Sequence, residues 1–197
     1  MKEGIYHICG IIIEICKVKG LIMMTKNDFQ VSLRTGNLDD AEALLEIQRE
    51  VVSENEFMIS VLEELEETTE QQRSWIQKIS ENERETIIVA EIKGKVIGLI
   101  VFRSKNTKRL AHTGYFTTMI KKDYRDMGIG KLLIKELLNW AEQNPLIEKV
   151  SLGVLSTNQR AIALYKSVGF VEEGRKIKEV KFSEDLYVDD ILMYKLV

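Results

Sequence analysis

Arg125-Asp126-Met127-Gly128-Ile129-Gly130, with Lys131 directly after it, is the stretch that decides how this chain reads. It stands between Ala111 to Ile120, a Thr- and aromatic-rich run that predicts a strand, and Gly130 to Ala141, whose apolar residues recur at helical spacing. Glycines at such a turn let the backbone bend tightly and approach a ligand with no Cβ in the way. A helix start adds unpaired N–H groups and the positive end of a dipole. Arg125 and Lys131 add positive charge. The combination is a cradle for an anion, and a pyrophosphate is its natural guest. Other nucleotide turns fit less well. A dinucleotide turn needs G-x-G-x-x-G, and Leu133 stands where the third glycine belongs. A P-loop needs Ser or Thr after its lysine, and Lys131 is followed by Leu132.

Outward from this turn the elements follow in order. Val31 to Arg34 alternates like a strand. Asn37 or Asp39 can cap a helix carrying Leu44, Leu45, Ile47, Val51 and Val52 on one side. An acidic stretch, Ser53 to Glu67, reads as a solvated face or loop. Thr68-x-x-Gln71 is a capping-box pattern ahead of Trp75, Ile76 and Ile79. Thr86 to Ile92 and Val96 to Phe102 are β-rich runs joined by Lys93-Gly94, which predicts a hairpin. Beyond the Gly130 helix, ended by Pro145, come a strand at Val150 to Leu155 and a short helix at Asn158 to Val168, closed by Gly169. Phe170 to Ile177 and Tyr187 to Leu196 read as closing strands. This order implies an α/β fold, a mixed sheet with helices on both faces.

Two segments together carry a family resemblance. One is the R-x-x-G-x-G turn after a strand ending Thr118-Met119-Ile120. The other is Asn158-Gln-Arg-Ala161-Ile-Ala-Leu-Tyr165-Lys-Ser-Val-Gly169-Phe170. With a helix and a strand correctly spaced between them, the chain resembles the GCN5-related N-acetyltransferase family from about Val31 to its end. The resemblance implies the family's mixed-sheet fold and acetyl-CoA as co-substrate. Thr118, Met119 and Ile120 would contact the pantetheine arm and acetyl group, where two central strands splay apart. Arg125, Asp126, Met127, Gly128, Ile129, Gly130 and Lys131 would wrap the pyrophosphate, mainly through backbone N–H groups. Asn158, with Ala161 in the same motif, would hold the pantetheine from the other side. Tyr165 would serve as general acid for the departing thiolate.

The implied reaction is acetyl transfer to a primary amine by direct attack in a ternary complex. The closing region, Gly174-Arg175 and Tyr187-Val188-Asp189, resembles the branch with amino-acid and antibiotic-type acceptors, so a small-molecule acceptor is expected. The rivals are a protein N-terminal or lysine acetyltransferase and a non-catalytic acetyl-CoA-binding module. The general base stays open among His112, Glu56, Asp189 and a water chain. The branch that acetylates a ribosomal-protein alanine holds a glutamate where this chain has Gly153. Without the family, Tyr165 reads as a core aromatic, Asn158 as a helix cap and His112 as structural. Trp75 and Trp140 read as core.

Composition sets the outer limits. The 197 residues fit one domain, and 45% apolar residues suffice for a core. A net charge of -3 argues against a nucleic-acid binder. Two cysteines, Cys9 and Cys16, give no disulfide framework. Only His7 and His112 are histidines, so no metal site is expected. Residues 1–24 read as an N-terminal extension before a 25–197 acetyltransferase domain. The adjacent Met23 and Met24 suggest that translation starts there; an extra strand or helix is the alternative. That stretch is too broken by Glu14, Lys17 and Lys19 for a membrane span, and it lacks a secretory signal's features. The expected setting is the cytoplasm, without a membrane partner. Members of this family often dimerise.

Overall fold

The computed structural model describes residues 7–8, 11–12, 21–24 and 30–197. The other residues of the expected N-terminal extension, Cys9 and Cys16 among them, lie outside the described residues. Within that region β1 (His7–Ile8) and β2 (Ile11–Ile12) pair with each other, and β3 (Leu21–Met24) pairs antiparallel with β4 (Gln30–Thr35). The main sheet thus takes in residues 21–24, which the sequence reading places with the extension.

The remaining elements come in the expected order: α1 (Ala41–Ser53), α2 (Thr69–Ser80), β5 (Thr86–Ile92), β6 (Lys95–Ser104), β7 (Thr113–Ile120), α3 (Ile129–Gln143), β8 (Lys149–Leu155), α4 (Gln159–Ser167), β9 (Val171–Lys181) and β10 (Tyr187–Leu196). One eight-stranded sheet runs β3-β4-β5-β6-β7-β8-β10-β9. Its neighbours are antiparallel except for β7 and β8, which are parallel. The α/β fold class is as the sequence implied. Lys93 and Gly94 both take positive φ, 49° and 77°, as the tight β5–β6 hairpin demands. Thr68 and Gln71 close the capping box of α2 reciprocally.

Strand alternation divides the core. On one face α3 packs Leu133, Ile134, Leu137 and Trp140 against Ile88, Ile100 and Phe102, and Tyr165 and Phe170 join the same cluster. On the other face α1 and α2 pack Leu44, Ile47, Ile76 and Ile79 against Ile87, Val89, Leu99 and Val101. Trp140 is buried, as expected, and Trp75 is half-buried against the second cluster.

An ion cluster pins the start of α1. Arg34 donates to both oxygens of Asp40, at 2.7 and 2.8 Å, and to Glu91 at 2.9 Å. The Asn37 N–H donates to Asp40 Oδ2 at 2.8 Å. Burial alone would raise the Asp40 pKa, but these hydrogen bonds outweigh it and hold the carboxyl below its ordinary value. The stabilisation is therefore present above the unfolded value of about 3.9 and lost as pH falls below it. Asp40→Ala is expected to cost about 2–3 kcal/mol at pH 7. That is less than a fully buried pair loses, because Arg34 keeps Glu91 and some water. Urea titrations should show the gap to wild type shrinking by pH 3.

Candidate active site

The site begins where two strands part. β7 and β8 pair over Thr113↔Lys149, Gly114↔Val150 and Tyr115↔Ser151, and no further. β7 continues beside β6 as far as Gly98↔Ile120, while β8 continues beside β10. Phe116 to Ile120 therefore turn one row of backbone N–H and C=O groups to a gap rather than to a neighbouring strand. Such groups call for partners. Thr118 is fixed by its hydroxyl donating to the Leu99 carbonyl at 3.0 Å. Thr118, Met119 and Ile120 are all half-buried along this edge.

The anion cradle sits at the end of β7. Gly128 occupies the N-cap of α3 with φ 86°, a left-handed conformation that favours glycine, and a Cβ there would meet no atom within 4 Å. No side chain caps α3, and its first turn holds no acidic residue. The N-termini of α2 and α4 differ, being capped by Thr68 and Asn158. The first N–H groups of α3 are thus left for an external anion. A pyrophosphate fits this donor set. Lys131 is exposed on the first turn. Asp126, at φ 63°, is tied to Arg160 of α4 at 3.0 Å. Met127 is half-buried and Ile129 fully buried against the core, so their side chains anchor the turn from below.

One expectation for the cradle needs correction. The positive charge of Arg125 does not stand open to the cradle. Its guanidinium instead donates to both oxygens of Glu54, each at 2.6 Å, and to the Ile120 carbonyl at 3.0 Å. This pairing holds Glu54 below the usual carboxylate range. Arg125 therefore braces the turn against the end of α1. Nothing in the sequence signals this contact, since Glu54 lies 71 residues away in a stretch that reads as solvated.

The remaining residues divide between the gap and elsewhere. Tyr165 is buried on the α3 face, edge-on to Phe116 and Phe170 at 5.8 and 6.1 Å between ring centres. Burial pushes its pKa up to about 12, so the phenol stays protonated at neutral pH. Asn158 Oδ1 accepts from the Ala161 N–H at 3.1 Å, which makes it the cap of α4 and leaves its amide donors for other use. His112 is exposed just before β7, at the end away from Thr118. Seven residues of strand put it roughly 23 Å from Met119, so it does not join the site. Asp189 is engaged by the Lys178 N–H at 2.6 Å and Arg175 Nε at 2.7 Å, which lower its pKa. Glu56 is exposed in the loop after α1. His112 is not placed to serve as base, and the Asp189 carboxylate is already taken by two donors.

Residues 45–170 match the acetyltransferase (GNAT) family. The chain belongs to that family. The GNAT domain is 24% identical over 122 residues to an L-amino acid N-acetyltransferase from Escherichia coli, spanning 62% of this chain and 75% of that one. It is 27% identical over 172 residues to an N-alpha-acetyltransferase from Sulfurisphaera tokodaii, spanning 83% and 90%. An acetyltransferase from Salmonella typhimurium, solved with its cofactor acetyl-CoA, shares the fold with a TM-score of 0.76. It is 18% identical and covers 84% of this chain and 93% of that one. This GNAT chain is an acetyl-CoA-dependent N-acetyltransferase. No described helix is long and apolar enough to cross a membrane.

Proposed function

We propose that this N-acetyltransferase acetylates the primary amine of a small cationic molecule, of the amino-acid or antibiotic type, by direct attack in a ternary complex. The observation that carries this is charge. From Glu50 to Glu70 the chain holds eight glutamates and no Lys, Arg or His. Arg125 pins the start of this segment through Glu54, and Arg49 donates to the Glu67 carbonyl at 2.9 Å near its end. An acidic border attracts a small ammonium substrate. The similarity to an L-amino acid N-acetyltransferase points the same way.

Acetyl-CoA supplies the activated acetyl group. In this reading the N-terminus of α3 holds its pyrophosphate, and the free edge of β7 from Phe116 to Ile120 aligns the arm and offers an N–H to the carbonyl oxygen. Tyr165 keeps a proton on its hydroxyl for the leaving sulfur. Asn158 offers its amide from the far side.

The test is thiol release from acetyl-CoA against amino acids, polyamines, aminoglycosides and short peptides. Turnover with a small amine is the expected result. Turnover with peptides alone would favour the second reading, a protein N-terminal acceptor, which the similarity to an N-alpha-acetyltransferase supports. Tight acetyl-CoA binding without any turnover would make the chain a cofactor-binding module.

A further inference from the structure

Two aspartates are buried among the described residues, Asp40 at 5% exposure and Asp190 at 7%. Their surroundings differ. Asp40 has Arg34 on both oxygens and a backbone N–H besides. Asp190 meets Lys176 Nζ at 3.5 Å, and Lys176 is itself half exposed and closer to Glu179, at 3.0 Å. A buried carboxylate so lightly held costs stability unless something else comes to it.

The fold says where that carboxylate points. Ile191 and Met193 of β10 enter the core beneath α3. Asp190 lies on the alternate face, the one that carries α1, opposite Tyr165 and the anion cradle. Its neighbour there is Gly153 of β8. A Cβ on Gly153 would lie 2.7 Å from Asp190 Oδ1 and 3.2 Å from Oδ2. The absent side chain is what lets the Asp190 carboxylate in. Gly153 is also exposed, although it is in the middle of a strand, because β7 has left its side. Counting the parallel register forward from Tyr115↔Ser151 sets Gly153 level with Thr117. That is the point where the strands have just parted. Asp190 therefore stands at the mouth of the gap, on the face opposite the cofactor cradle.

We propose that Asp190 receives the acceptor's ammonium group and takes the proton that must leave before its nitrogen can attack. This rests on the small-amine reading above. The balance is complete: the ammonium gives one proton to Asp190, the N–C bond forms as the C–S bond breaks, and the second N–H proton goes to the sulfur through Tyr165. Asp190 then returns its proton to water.

The test uses the best amine from the panel. Asp190→Asn should bind acetyl-CoA with an affinity within about twofold of wild type by calorimetry, and its kcat/KM at pH 7 should fall by about 10²-fold or more. The deficit should narrow by about tenfold as pH approaches the amine's own pKa, because a neutral amine needs no base. A double variant, Gly153→Glu with Asp190→Ala, moves the carboxylate across the same contact and should recover activity above Asp190→Asn. Activity of Asp190→Asn above a third of wild type, or a deficit that is the same at every pH, overturns the proposal. So does loss of acetyl-CoA binding in both variants, which would make Asp190 structural. Failure of wild type on every amine is a different result, since it strikes the acceptor reading before any variant is made.

Discussion

Tyr165→Phe is expected to lower kcat by about 10²–10⁴-fold while leaving acetyl-CoA affinity nearly unchanged. The ring is part of the core, edge-on to Phe116 and Phe170, and phenylalanine keeps both contacts. What it loses is the hydroxyl, which burial holds protonated with a pKa near 12. The departing thiolate then leaves without a donor beside it. Single-turnover rates together with calorimetric binding separate the two effects. Equal losses of rate and affinity would mean that Tyr165 serves the core alone. A thioester with a more acidic thiol should suffer less from the substitution, because it needs the proton less.

The second large effect is expected at Gly128. Gly128→Asp should weaken acetyl-CoA binding by about 100-fold or more, equivalent to ~2.7 kcal/mol, with little change in melting temperature. The left-handed backbone costs a side chain about 1–2 kcal/mol, least for Asp and Asn. A carboxylate at an uncapped helix start returns about 1 kcal/mol. There is open space for the new Cβ. The fold is therefore kept, while a negative charge occupies the place proposed for the pyrophosphate. Gly128→Asn has nearly the same shape without the charge and should lose far less affinity. Equal losses in the two variants would assign the effect to backbone strain instead.

Much of this fold is legible in the sequence because local rules and tertiary structure agree. Thr68 and Gln71 cap α2, the Lys93-Gly94 turn closes the hairpin, and Gly128 starts α3, each where its own chemistry asks for it. The cradle is legible for the same reason. The pairings Arg125–Glu54 and Asp190–Gly153 are not legible. They join residues 71 and 37 positions apart, and no periodicity records which strands meet. His112 is a candidate by residue type and by its place on the strand that leads to the gap; the length of β7 separates it from the gap. A glycine in a strand usually marks a bulge or a close approach. Gly153 belongs to the second class, but the approaching group can be named only once β8 and β10 are known to be neighbours.

The Arg125–Glu54 pair ties the turn before α3 to the end of α1. One end belongs to the turn proposed to hold the nucleotide, the other to the start of the glutamate-rich stretch. Linkage is reciprocal, so whatever factor acetyl-CoA adds to acceptor affinity through this brace, the acceptor adds to acetyl-CoA affinity in equal measure. Glu54→Gln is expected to weaken any such coupling, read by calorimetry as a smaller effect of the acceptor on acetyl-CoA affinity than in wild type.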